Sequence, residues 1–273
     1  MSPRWTTRLD ARLGPRGLQL ELASRLPWDQ RAPLWQRAWP GPIARDQAAD
    51  ALASALADVL VEFRRTDRRL PATLGIELDD AWVLHALLRG AFDRMGSGAA
   101  ADAAARFFQQ ALGSAPADLR LALSPQPDGR SLWASALPEA LCGQLGEVAR
   151  VAGLRLRSLR PAAQHSVAGR TAWPAHGVLA LPHAHGLLLA LRRGGSWVAL
   201  ANERMALTDA VTRRADALLR FHGVPAANGS ADGPREQQRW ARVDLQTALP
   251  EGWSRVQGRG AAGAPAATAR KAR

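Results

Sequence analysis

The chain has 273 residues, 47% of them hydrophobic, and a formal net charge of +12. That length and apolar content exclude a wholly disordered chain and predict a sizeable core, in one large or two modest domains. One cysteine, Cys142, excludes an internal disulfide, and the longest apolar tract, 177–191, is too short and too interrupted by Pro182, His183 and His185 to span a bilayer.

The charge carries less than its size suggests. Of the 36 basic residues all but Lys271 are arginine, and alanine is abundant, a bias that a GC-rich coding sequence produces. Before residue 255 the arginines are spread among acids. They favour anionic surfaces in general, an inner leaflet included, and without a clustered stripe they argue against a nucleic-acid interface. Residues 1–10 are polar with no apolar leader core, so a soluble cytoplasmic protein is expected, at most peripheral to a membrane.

In chain order, 5–13 and 18–23 flank the turn Gly14-Pro15-Arg16-Gly17 and predict a β-hairpin, with Leu18, Leu20 and Leu22 alternating against Gln19 and Glu21. Residues 26–42 hold Pro27, Pro33, Pro40 and Pro42 beside Trp28, Trp35 and Trp39, which predicts an extended segment or loop anchored by indoles. Residues 46–65 predict a helix with Asp46 as N-cap and an apolar stripe from Ala48 to Phe63. Arg64, Arg65, Arg68 and Arg69 suit its C-terminal dipole. Strands at 72–78 and 82–88 flank the acidic pair Asp79-Asp80. Adjacent carboxylates are one way to chelate a metal, but neighbours in a turn usually point apart, and a plain turn is the better reading.

A Gly/Ser/Ala linker at 95–101 leads to a helix at 101–112, a strand at 118–124 and a turn at 125–130. The clearest unit follows at 131–161. Leu132, Ala134 and Ala136 alternate with Ser131, Trp133 and Ser135 as in a strand, and Pro138 suits the first turn of a helix whose apolar side is Leu141, Leu145, Val148, Ala149 and Ala152. Gly153 ends it, Leu154 and Leu156 resume a strand, and Pro161 stops that strand. Cys142 falls on the polar to boundary side of the helix and reads as a small filler.

After an irregular link to 176, strands are expected at 178–181, 186–192 and 197–201, with Gly194-Gly195 as a hairpin loop. His183 and His185 lack acid or cysteine partners at ligand spacing and read as turn residues. A helix at 207–221 precedes a polar loop at 226–236, a last strand at 240–249 and a disordered basic tail from 255. The glycines at 258, 260 and 263 fit a dinucleotide pattern in letters only. No Walker lysine loop, nucleophile elbow or zinc spacing occurs.

Three stretches together resemble the actin-like (ribonuclease H-like) ATPase fold, in particular the PilM family of type IV pilus assembly proteins and the cytoplasmic domain of type II secretion protein L. They are Leu13 to Leu20 as a first phosphate hairpin, Ala134 through Gly153 to Pro161 as the strand, helix and strand closing the first lobe, and 178–191 with Gly194-Gly195 and Glu203-Arg204 as the second hairpin. The resemblance implies an α/β, two-lobed fold of mixed sheets: a first lobe over 1–165 with an insertion at about 89–117, a shortened second lobe over 166–254, and the tail over 255–273.

Departures from that family bear on activity. Its first hairpin needs a carboxylate for Mg²⁺ and free N–H groups for phosphate. Here Arg12 takes the acid's place, Asp10 lies two residues earlier, and Pro15 removes a donor between Gly14 and Gly17. The second hairpin reads Ala180-Leu181-Pro182 where acid and glycine belong. The resemblance then implies a degenerate nucleotide cleft (Asp10, Arg12, Gly14, Gly17, Ala180, Pro182), no catalytic residue, no metal, no cofactor, and a scaffold that binds the tail of an inner-membrane pilus or secretion protein. The alternatives are an ATPase or sugar-kinase-like enzyme using Asp10 and Asp79, and non-specific nucleic-acid binding through the tail.

Overall fold

A computed structural model describes residues 8–23, 33–65, 71–113, 116–168, 173, 175–223, 238–241, 249 and 253–255. Strands β1 (Arg8–Gly14) and β2 (Gly17–Ala23) form the expected hairpin, paired from Arg8↔Ala23 to Gly14↔Gly17 about Pro15-Arg16. The proline-rich segment supplies a third strand, β3 (Pro33–Ala38), antiparallel to β2. Pro33 is tolerated there because β3 is the sheet's edge, where a missing N–H breaks no ladder. Trp28 lies outside the described residues.

Helix α1 (Ala48–Arg65) is entered through a 3-10 turn at Arg45–Gln47. The Gln47 side chain accepts the Ala44 N–H at 3.0 Å, so Asp46 sits inside the turn and is not the cap. After β4 (Thr73–Leu78), parallel to β1, the chain makes a 3-10 turn at Asp80–Trp82 and passes β5 (Leu84–Arg89) to a different sheet. Helix α2 (Ser97–Leu112) takes in residues expected as linker and ends at Gly113, φ +68°. Strands β6 (Leu119–Pro125) and β7 (Ser131–Pro138) complete a three-stranded sheet in the order β5-β7-β6. Helix α3 (Glu139–Val151) and strand β8 (Arg155–Pro161) follow as expected, and the first five-stranded sheet is β3-β2-β1-β4-β8.

The presumed irregular link begins instead with a short helix, α4 (Ala162–Ala168). Strands β9 (Gly177–His183), β10 (Gly186–Arg193) and β11 (Ser196–Glu203) precede α5 (Asp209–Phe221). With β12 (Gln238–Ala241) and β13 (Trp253–Arg255) they form a second five-stranded sheet, β11-β10-β9-β12-β13. The expected last strand is thus only partly represented by β12. The polar loop and residues 256–273 fall outside the described residues.

Alternation decides the layering. Leu9, Ala11, Leu13, Leu74, Ile76 and Leu78 face α1 and α3 in the largest core, leaving Asp10, Arg12 and Glu77 to the opposite face. Cys142 belongs to that core at 2% exposure, which corrects its expected boundary position. Val178, Ala180, Leu187, Leu189 and Leu191 pack on α5, whereas Leu179, Leu181, Leu188 and Ala190 meet Trp133 of β7, Trp197 and α4. Strand β7 is buried on both faces, its other side packing on Ala104 and Phe108 of α2. Among the described residues no helix is long and apolar enough to cross a membrane.

Candidate functional site

A cavity of about 530 Å³ opens between the β1–β2 hairpin, the end of β4, the start of α4 and the end of β9. Its wall includes Arg12, Gly14, Arg16, Gly17, Arg37, Glu77, Asp79 and Pro182. The hairpin turn is closely supported. Trp39 Nε1 donates to Gly14 O at 3.1 Å, Trp39 N to Arg16 O at 3.0 Å and Ile43 N to Pro15 O at 2.8 Å. Gly14 is needed there because a Cβ would lie 2.8 Å from Asp79 Cβ, and Gly17 because a Cβ would lie 2.6 Å from Arg37 O.

Three carboxylates border the cavity, and each has internal partners. Asp79 accepts the Ala81 N–H at 2.8 Å and, across the cavity, the Ala184 N–H at 3.4 Å. Burial pushes its carboxyl above the ordinary aspartate range, against those two N–H groups, which favour the charged form. Glu77, opposite Arg12 in the β1–β4 register, meets His165 Nδ1 of α4 and lies 4.0 Å from Arg12 Nε.

Asp80 turns the other way. Its Oδ1 accepts from His85 Nε2 at 2.9 Å and from the Ala163 N–H at 3.0 Å. The indole Nε1 of Trp133 donates to His85 Nδ1 at 3.3 Å, and indole has no acceptor there, so the imidazole proton is on Nε2. Ser135 Oγ lies 2.8 Å from the same Nδ1. This Asp–His–Ser geometry is sealed: Ser135 is fully buried, and no substrate reaches it. The acidic pair does point apart, as expected, but Asp80 is a buried anchor and not an exposed turn residue.

The hairpins also touch directly. Arg16 Nη2 donates to Ala184 O at 3.2 Å, so one residue of the β9–β10 turn is held from both sides, by Arg16 at its carbonyl and by Asp79 at its N–H.

Of the residues expected in a degenerate cleft, Arg12, Gly14, Gly17 and Pro182 line the cavity. Asp10 does not: it pairs with Arg8 over Gly75, where a Cβ would stand 2.6 Å from Asp10 Oδ1. Ala180 points into the α5 core. Arg16, Arg37 and Glu77 also stand in the wall, and His165 backs Glu77. The alternation of β1 and β4 was the available signal for Glu77; nothing local marked His165, 88 residues away.

No family model matches the chain, and no curated protein matches it. Among solved structures, a PilM–PilN type IV pilus biogenesis complex aligns over 79% of this chain and 70% of that one, at 18% identity and TM-score 0.55. A Bacteroides thetaiotaomicron protein with an actin-like ATPase fold and unknown function aligns over 89% and 84%, at 9% identity and TM-score 0.55. The fold is actin-like. The cytoplasmic domain of EpsL, an inner-membrane component of the type II secretion system of Vibrio cholerae, aligns over 92% and 90% at 10% identity and TM-score 0.48, and the fold assignment rests on the other two.

That fold raises the question of a magnesium nucleotide between the hairpins, and the residues do not fit one. Pro15 offers no N–H to a phosphate, and the acids bordering the cavity already serve His165, His85 and backbone amides. Arg12, Arg16 and Arg37 stand in the same wall as these acids, Arg12 4.0 Å from Glu77.

Proposed function

We propose that this chain is a non-catalytic scaffold of a pilus or secretion assembly platform, gripping the tail of an inner-membrane partner in the cleft between two lobes. In this reading the lobes span 1–165 and 166–254. The first carries an insertion at about 89–117, and a basic tail occupies 255–273. The arginine surplus suits an anionic membrane surface beside such a partner. Likeness in fold to a protein solved in a pilus biogenesis complex supports the assignment.

One observation carries it: Arg16 and Asp79 both bond to Ala184, so the β9–β10 turn is tied to the first hairpin and to the turn after β4 by the protein's own bonds. The test is affinity capture from detergent-solubilised membranes with the native chain, alongside an ATPase assay. The expected result is one membrane partner retained by the parent and lost on charge reversal at Arg12 and Arg37, with no magnesium-dependent phosphate release.

A second reading, an ATP-dependent enzyme, is favoured by Asp79 facing Gly14 inside the cavity. Magnesium-dependent turnover that disappears in Asp79→Asn would replace the scaffold by that enzyme.

A further inference from the structure

A second cavity, of about 390 Å³, lies where the three-stranded sheet meets the second five-stranded sheet. Arg89 from β5, Asp128 from the β6–β7 turn, Arg193 and Ser196 from the β10–β11 hairpin, and His222 beyond α5 line it. Both guanidiniums are held by uncharged acceptors. Arg89 donates from Nη1 to Ser131 Oγ at 2.6 Å and from Nη2 to Val198 O at 2.5 Å, and Arg193 Nη1 donates to His222 O at 2.6 Å.

The one carboxylate in the wall neutralises them poorly. Asp128 is engaged by the N–H groups of Arg130 and Ser131 at 3.0 and 2.9 Å and by Ser131 Oγ at 2.8 Å, and Arg89 comes no nearer than 4.0 Å. Elsewhere in the chain, arginines 120, 150, 214 and 239 each meet a carboxylate at 2.5–2.6 Å. Burial first, then the charges of Arg89 and Arg193, hold the His222 imidazole below its ordinary range. The next cation, Arg192, stacks on Trp197 at 5.3 Å.

We propose that this cavity is an oxyanion site, in which Arg89 and Arg193 take the phosphate or carboxylate group of a small anionic ligand. Guanidinium donors match both groups, and side chains already oriented by neutral acceptors lose little freedom when the anion arrives. The inference is independent of the cleft reading, since no residue of this wall borders that cavity.

The site predicts its own reporter. An anion between the two arginines favours the charged imidazole, so the His222 titration midpoint, followed by NMR and assigned with His222→Gln, should rise by roughly one pH unit in phosphate. Chloride at equal ionic strength should leave it nearly unmoved. A malonate arm distinguishes carboxylate from phosphate as the preferred group. Arg193→Gln and Arg89→Gln should abolish the response, with thermal unfolding in chloride showing which variants still fold. Equal shifts in phosphate, malonate and chloride overturn the proposal, and so does a folded Arg193→Gln that responds as the parent does. The parent titration decides the matter even where a variant fails to fold.

Discussion

Removing His85 tests the buried network behind the cleft. The Asp80 and His85 side chains are each 4% exposed, so His85→Ala leaves a carboxylate with only the Ala163 N–H and strips Trp133 Nε1 and Ser135 Oγ of their shared partner. Breaking a buried pair by deleting one member costs about 3–5 kcal/mol, and each orphaned buried donor adds about 1–3 kcal/mol where it finds no substitute. A loss of about 4 kcal/mol is therefore expected, a fall in Tm of roughly 8–16 °C for a chain of this size. Urea unfolding followed by tryptophan fluorescence measures it, Trp133 being itself part of the network. The decisive comparison is the cycle of Asp80→Ala, His85→Ala and the double variant. Coupling predicts a double variant little worse than the poorer single, with an interaction energy of about 2 kcal/mol. Single losses that add to within about 0.5 kcal/mol would refute the network.

Asp79 predicts a pH dependence of the opposite sense to a paired carboxylate. Its folded pKa lies above the ordinary aspartate value of 3.8, so the folded state binds the proton more tightly, and stability falls as pH rises from 3.8 through the folded pKa. Asp79→Asn keeps the acceptor for the Ala81 N–H without the buried charge; its Tm at pH 7 should exceed the parent's, and the gain should vanish below about pH 4. Gly186→Ala should be severely destabilising, because φ is +152° and a Cβ would lie 2.1 Å from Glu203 O. A loss of about 3 kcal/mol or more in urea unfolding is expected, and a loss under about 1 kcal/mol would mean that the β10–β11 pairing yields freely.

Elements with a local cause were readable from the chain. The 131–161 unit held because the alternation of Leu132, Ala134 and Ala136, the stripe on α3 and the Gly153 stop are all short-range, and Gly153 does take φ +73°. The hairpins held for the same reason. Strand β3 was obscured because its prolines argue against a ladder in general, while an edge position removes the objection. Separation of β4 from β5 was also out of reach: both alternate, and only the tertiary pairing of β4 with β1 and β5 with β7 assigns them to different sheets. In the cleft, Arg12, Gly14 and Gly17 follow from the hairpin, but the partners of the acids come from residues 85, 163, 165 and 184, which no spacing rule joins.

Those distant partners change what the missing hairpin acid means. Had Arg12 merely replaced a carboxylate, Glu77 and Asp79 on the adjacent strand and turn might have served a metal in its stead. Glu77 is committed to His165, and Asp79 is half-buried in charge-disfavouring surroundings while reaching across to Ala184. A metal would have to displace protein partners and then neutralise a carboxylate that burial already protonates more readily. The same bonds tie the β9–β10 turn to the first hairpin and to the turn after β4. A cleft whose walls are joined by Arg16 and Asp79 is preformed, so an occupant meets it without a closure step and its affinity is not reduced by the fraction of molecules still open. Under the proposed scaffold reading, that arrangement serves standing contact with a protein segment.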